Sequence, residues 1–246
     1  MTLSTLSSSI LALCLVLGHS ASAAISNNDD RVLVTSTESF PASATGRLLM
    51  GCGASILSKN LIITAAHCLR NYSDDFWKAQ LAFTPGYQAV GNTGAMPFGT
   101  FKARRNFIPP EWADPKLPET ADWQRMKELG GLEGALLEYR MSFDLAIIEV
   151  DDLPVEKTGF FYLPNPALTT KGLLSQLKYQ FLVFGYGGTL ERLNDNYHLR
   201  SQFCSPIALD LVPTPVPDEN VKILTDCDAL KGDSGGPVLS STDGEN

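Results

Sequence analysis

The sequence has little positive charge: 19 Lys and Arg stand against 27 Asp and Glu in 246 residues, a formal charge of −8. That balance leaves no electrostatic footprint for nucleic acid or for an anionic membrane face. Long apolar runs are also missing, and no stretch reaches the ~18–20 residues that cross a bilayer. There is no repeat with a period of 20–50 residues and no low-complexity tract, which excludes solenoid and fibrous designs. Histidine is scarce, with three in the chain. No C-x-x-C or H-x-x-x-H accompanies the cysteines, so a structural zinc site has no ligand pattern. A composition that is 44% hydrophobic, with mean hydropathy near zero, describes one or two globular domains.

The first 24 residues read as a secretory signal peptide rather than part of the fold. Ile10 to Leu17 is an apolar core, and Ala21-Ser22-Ala23-Ala24 behind it supplies the small residues that a signal peptidase needs. Cleavage after Ala23 or Ala24 removes Cys14 and His19. Cys52, Cys68, Cys204 and Cys227 remain, an even number suited to an oxidising, extracellular compartment. Four cysteines allow three connectivities. Pairing Cys52 with Cys68 and Cys204 with Cys227 keeps each bridge local.

Short apolar runs bounded by Gly, Pro, Asn and Ser recur along the mature chain: Leu48 to Leu57, Leu61 to Thr64, Leu145 to Val150, Tyr179 to Phe184, Phe203 to Leu211 and Pro237 to Leu239. Many short strands at irregular spacing point to an all-β barrel or sandwich rather than βαβ units. Phe101 to Arg140 differs, with 14 charged residues and four prolines. It reads as a surface insertion between strands, with a helix starting at Thr120 as N-cap and stopping at Gly130-Gly131. Asp151 to Pro166 reads as a crossover between two halves, giving a first unit over 25–155 and a second over 156–246.

Two histidines survive signal removal, His67 and His198. His67 lies in Thr64-Ala65-Ala66-His67-Cys68, directly after an apolar strand. Ser234 lies in Gly232-Asp233-Ser234-Gly235-Gly236-Pro237, where glycines let backbone approach a substrate and aim N–H groups at it. Asp144 heads Asp144-Leu145-Ala146-Ile147, and a carboxylate at the mouth of an apolar strand is a poor choice without a partner. His198 reads as a loop residue. Asp74-Asp75 and Asp151-Asp152 read as solvated turn acids, and Asn71-Tyr72-Ser73 is a glycosylation sequon only in a eukaryotic host.

At these three places the chain resembles the trypsin and chymotrypsin-like serine peptidases. TAAHC, D-L-A-I and GDSGGP occur in that family's order of His, Asp, Ser. Gly53 to Leu57 after Cys52 resembles the family's strand bridged to the cysteine behind the catalytic histidine, and Gly185-Tyr186-Gly187 resembles its Gly-Trp-Gly turn. The resemblance implies an all-β fold of two six-stranded Greek-key barrels, the second incomplete here because 12 residues follow Ser234. It implies Ser234 as nucleophile, His67 as general base and Asp144 as the group that orients it. The N–H groups of Gly232 and Ser234 would form the oxyanion hole. It also implies protein or peptide substrates, protein inhibitors, a monomer, and chemistry needing neither metal nor organic cofactor.

Asp228, six residues before Ser234, sits where trypsin-like members carry the aspartate that selects Arg or Lys. Cys227 departs from the vertebrate trypsin spacing, and Thr225-Asp226-Cys227-Asp228 also looks like secreted microbial relatives near the glutamyl endopeptidases. Family zymogens are cut so that a new ammonium pairs with the aspartate before the serine, here Asp233. No Ile-Val-Gly-Gly start is present. Ile25 is the expected mature terminus, 27 residues before Cys52, with a cut after Arg31 to expose Val32 as the other possibility. The alternative to a secreted endopeptidase is an inactive protease-like binding protein or an incomplete product.

Overall fold

A computed structural model describes residues 29–49, 51–69, 81–90, 93–163, 181–187, 198–211, 221–229 and 232–240. The segment expected to be a signal peptide, Ile25, the sequon at Asn71 and the Asp74-Asp75 pair lie outside them. Six strands close a barrel: β2 (Thr45–Leu48), β3 (Gly53–Ser58), β4 (Leu61–Thr64), β5 (Ala82–Pro85), β8 (Phe101–Phe107) and β9 (Ala146–Val150). Their order around it is β2-β3-β4-β9-β8-β5, every pair antiparallel. A small hairpin, β6 (Gln88–Val90) with β7 (Thr93–Ala95), follows β5.

The barrel closes because its strands alternate. In β9, Ala146, Ile148 and Val150 are buried while Ile147 and Glu149 are only partly covered, the period of two that one packed face demands. They join Leu48, Ile56, Ile62 and Phe83, all fully buried, in one core. Closure leaves no bare strand edge among these six.

The charged segment read as an insertion from Phe101 begins later than that. Phe101–Phe107 is a barrel strand, with Ala103 buried between the exposed Lys102 and Arg104. Its basic outer face hides a strand whose inner positions are small or aromatic. Arg104 and Arg105 pair with Asp151 and Glu149 on the neighbouring strand and its exit, so the charges are cross-strand partners.

Beyond β8 the segment is helical: α1 (Pro110–Ala113) and α2 (Ala121–Met141). Thr120 holds the extended N-cap conformation, and Gly131 (φ 74°, ψ 169°) is non-helical, so a first helix ends there and a second runs on to Met141. The Gly130-Gly131 pair is therefore the stop expected from the sequence, and a second helix follows it directly. Trp123 packs edge-on against Tyr139 at 5.3 Å, and Tyr139 meets Phe143 at 5.0 Å. Phe143 also touches the barrel core, which fixes the turn carrying Asp144.

After α3 (Val155–Thr158), the second half contributes β10 (Phe181–Gly185), β11 (Arg200–Cys204), β12 (Pro206–Leu211), β13 (Val221–Thr225) and β14 (Val238–Ser240). The N-terminal β1 (Val32–Leu33) joins them in a sheet ordered β1-β11-β10-β14, and β12 pairs with β13 as a hairpin. Phe184, Tyr186 and Leu199 are buried beneath that sheet. Among the described residues one barrel closes, and the second half is present as this sheet and hairpin.

Candidate active site

Strand register brings the first two candidate residues together. Thr64 at the end of β4 pairs with Ala146 at the start of β9. His67, three residues after Thr64, and Asp144, two before Ala146, therefore emerge at the same end of the barrel. Asp144 contacts residue 67 twice: Oδ1 accepts the His67 backbone N–H at 2.7 Å, and Oδ2 lies 2.6 Å from the ring Nδ1. The Asp144 side chain is 12% exposed and that of His67 40%, so the carboxylate stands behind an imidazole that is open to solvent. With a carboxylate acceptor at Nδ1, the Nδ1–H tautomer is favoured and Nε2 keeps its lone pair.

His67 lies in a 3-10 turn, Ala66–Leu69, directly after β4. The Cys52–Cys68 disulfide anchors that turn to the entry of β3, and Cys204–Cys227 is also bridged. Cys52, His67 and Cys68 lie close together, but both thiols are consumed in the bridge, so the cluster offers no metal its sulfur ligands.

Ser234 is brought to the same end from the second half. Its carbonyl accepts the N–H of Gly53 at 2.8 Å, and Thr64 Oγ1 donates to the Gly53 carbonyl at 2.7 Å. Gly53 thus carries Ser234 on one side and the strand leading to His67 on the other. The approach is too close for a side chain: a Cβ at Gly235 (φ 78°) would collide with Thr64 Oγ1 and the Gly53 carbonyl. Gly232 has φ 110°, and a Cβ there would meet the Tyr186 carbonyl at 2.8 Å. Both positions require glycine on conformation and on space.

Asp233, between the two residues proposed to face an oxyanion, points its carboxylate at the Gly185-Tyr186-Gly187 turn. Oδ1 accepts the Gly187 N–H at 2.6 Å, and Oδ2 accepts Arg31 Nη1 at 2.7 Å. Sequence reasoning treated Asp233 as the seat of a freed ammonium and Arg31 only as a cleavage position. The side chain of Arg31, 202 residues away, holds it. The hydrogen bond from Arg31 in turn keeps the Asp29 carboxyl below the ordinary carboxylate range.

Asp228 is buried, at 4% exposure, and accepts the backbone N–H of Asp30 at 3.2 Å. Its own N–H donates to Gln202 Oε1 at 2.9 Å, and Gln202 Nε2 donates to Asp30 Oδ1. Loss of water around Asp30, then its hydrogen bond and charge contact with Asp228, push the Asp30 carboxyl above its ordinary value. Gln202 and Asp30 carry no motif and were missed by sequence reasoning. His198 is half-buried, with Nδ1 3.4 Å from Gln88 Nε2, and Asp152 pairs with Lys59.

No helix among the described residues is long and apolar enough to cross a membrane. No curated protein sequence matches the chain. A family model described as Trypsin matches residues 34–97, which span β2 to β7 and include His67. Among solved structures, one titled as a Glu endopeptidase in complex with MPD is similar at 16% identity, with a TM-score of 0.55 over 87% of this chain and 81% of that one. The Trypsin match covers 64 of the 246 residues and the structural likeness gives a chymotrypsin-like fold, both in keeping with the resemblance to the trypsin and chymotrypsin-like serine peptidases.

Proposed function

We propose that the chain is a secreted serine endopeptidase acting through Ser234, His67 and Asp144. The observation that carries this reading is the two-point contact of Asp144 with His67, beside a Ser234 loop tied to the same barrel end by Gly53. His67 Nε2 takes the Ser234 hydroxyl proton as Oγ bonds to the scissile carbonyl carbon, and the carbonyl π electrons move onto oxygen. Asp144 holds the ring and stabilises the imidazolium without taking its proton. The N–H groups of Gly232 and Ser234 receive the oxyanion, an electrostatic contribution worth ~10²–10³ in rate per donor. The carbonyl re-forms as the amine departs with the proton from His67, and water then releases the acyl group by the same steps in reverse order of roles.

The two disulfides suit an extracellular protein. Substrates are proteins or peptides, the acting form is a monomer, and proteinaceous inhibitors are the expected antagonists. A fluorophosphonate probe tests the central claim. It should label the wild type and leave Ser234→Ala unlabelled. A folded wild type that takes no label overturns the reading and favours a protease-like binding protein.

Asp228 extends the proposal to specificity. A buried carboxylate favours a substrate cation that offsets its desolvation, hence Arg or Lys before the cut bond. The name of the structural neighbour makes glutamate the competing preference. Peptide nitroanilides ending in Arg, Lys or Glu separate the two, and cleavage after Glu alone removes the role given to Asp228.

A further inference from the structure

Asp233 lies between Gly232 and Ser234, so whatever holds its side chain also holds the backbone on either side. The seat is built for a carboxylate. A Cβ at Gly185 would meet Asp233 Cγ at 2.7 Å, and one at Gly187 would meet Asp233 Cγ and Arg31 Nη1 at 2.6 Å each. Two glycines thus clear the space that the ion pair fills. The Arg31 side chain is 4% exposed and that of Asp233 13%, well out of bulk water.

Arg31 is itself secured. Its Nε donates to Asp29 Oδ1 at 2.8 Å and its Nη2 to Asp29 Oδ2 at 2.8 Å, a two-pronged grip that leaves Nη1 directed at Asp233. On one side Asp30 is tied to Asp228 and Gln202; on the other Val32 and Leu33 pair with Ser201 and Arg200 of β11. The guanidinium is therefore held at both ends of its segment.

We propose that Arg31 is a positioning residue of the catalytic site, its guanidinium holding Asp233 so that the Gly232–Ser234 backbone keeps its N–H groups on the oxyanion. The arrangement forms with the Arg31–Val32 bond intact and needs no freed α-ammonium. The catalytic consequence rests on Ser234 being the nucleophile; the holding of residues 232–236 does not.

The cation's chemistry supplies a readout that a merely structural ion pair would not move. A guanidinium stays charged throughout the accessible pH range, whereas an α-amino group ordinarily titrates near ~8 and a lysine near ~10.4. The groups facing Arg31 are the carboxylates of Asp29 and Asp233, with Arg200 near Asp29 and the Asp30–Asp228 pair beyond. Carboxyl and guanidinium groups ordinarily titrate outside pH 8 to 11, and burial keeps the Tyr186 hydroxyl protonated there. Wild-type kcat should hold level above pH 8.

Arg31→Gln should lower kcat by ~10²-fold, the scale of one lost oxyanion donor, with KM changed by less than about threefold. Arg31→Lys should recover most of that loss at pH 7 and acquire an alkaline limb. The fluorophosphonate-labelled wild type should yield a peptide spanning an intact Arg31–Val32 bond. Independently of catalysis, amide hydrogen exchange over residues 232–240 should rise about tenfold in Arg31→Gln. Unchanged exchange in that variant overturns the proposal whether or not the enzyme turns over. So does a labelled species that always begins at Val32, or a wild type that loses activity near pH 8 to 9 and a lysine variant indistinguishable from it. A wild type that takes no label defeats the peptidase reading instead, and the exchange experiment still decides the role of Arg31.

Discussion

Replacing Asp144 by Asn tests the His67 arrangement most directly, because the two contacts dictate how the new amide must sit. Oδ1 of Asp144 accepts the His67 backbone N–H at 2.7 Å, and an amide can keep that hydrogen bond only through its carbonyl oxygen. The carbonyl oxygen of the introduced amide therefore takes that place, and its NH2 is left facing Nδ1, 2.6 Å away in the parent. A donor there makes Nδ1 an acceptor and moves the ring proton to Nε2, where the base needs a lone pair. The carboxylate's charge on the imidazolium is lost as well. The equivalent replacement in a trypsin-type Ser-His-Asp triad lowers kcat by ~10⁴; at ~1.36 kcal/mol per tenfold that is about 5.5 kcal/mol of transition-state stabilisation. The side chain fits the same space, so the melting temperature should change little. Peptide hydrolysis and the fluorophosphonate labelling rate should fall together. An Asp144→Asn protein that is folded and retains kcat within tenfold of wild type would refute the assignment of Asp144 to His67.

Other perturbations follow from the same contacts. Gly235→Ala places a methyl group against Thr64 Oγ1 and the Gly53 carbonyl at a positive φ, so it should cost ~1–3 kcal/mol of stability and displace Ser234 enough to lower kcat ~10²-fold, read by thermal melts and steady-state kinetics. Removing the Cys52–Cys68 bridge with a double Ser substitution opens a loop of sequence separation 16, worth about 3 kcal/mol, and should lower the denaturant midpoint by a matching amount. Arg31 lowers the Asp29 pKa on folding, so its stabilisation is present above the ordinary carboxylate range and lost as pH falls through the lower folded value; the melting-temperature deficit of Asp29→Asn should be largest near neutrality and shrink as pH falls below the ordinary Asp range. Asp30 carries the opposite sign: its raised pKa makes the charged form a liability that appears as pH rises past the ordinary range, so Asp30→Asn should raise the melting temperature at pH 7 and have no such effect in acid.

Much of the candidate site is proposed from the sequence because its chemistry is local there. His67 follows an apolar strand and precedes a cysteine; Gly232, Gly235 and Gly236 mark backbone that must pass close to other backbone; Asp144 stands where a lone carboxylate needs a partner. β4 appears at the expected residues, Leu61–Thr64, and β9 within one residue of its expected start, because their apolar content is dense. β8 was hidden because Lys102, Arg104 and Arg105 face outward and find their acidic partners on another strand. The helix end at Gly130-Gly131 was legible because glycine favours termination, whereas the second helix beyond it carries no such local mark and is held by the packing of Trp123 against Tyr139 across the break.

By itself the sequence determined which residue types stand where backbone must turn tightly and which apolar segments must be covered, since steric freedom and the period of burial are properties of a few consecutive residues. The tertiary structure alone decided which charges meet. Arg31 and Asp233, and Asp30 with Asp228, lie about 200 positions apart, and no local pattern marks such a pair. Their meeting depends on the path of β1 along β11 and on the gap that Gly185 and Gly187 leave for a carboxylate. An ion pair is specified by where two chains end up in space, which only the packed fold sets.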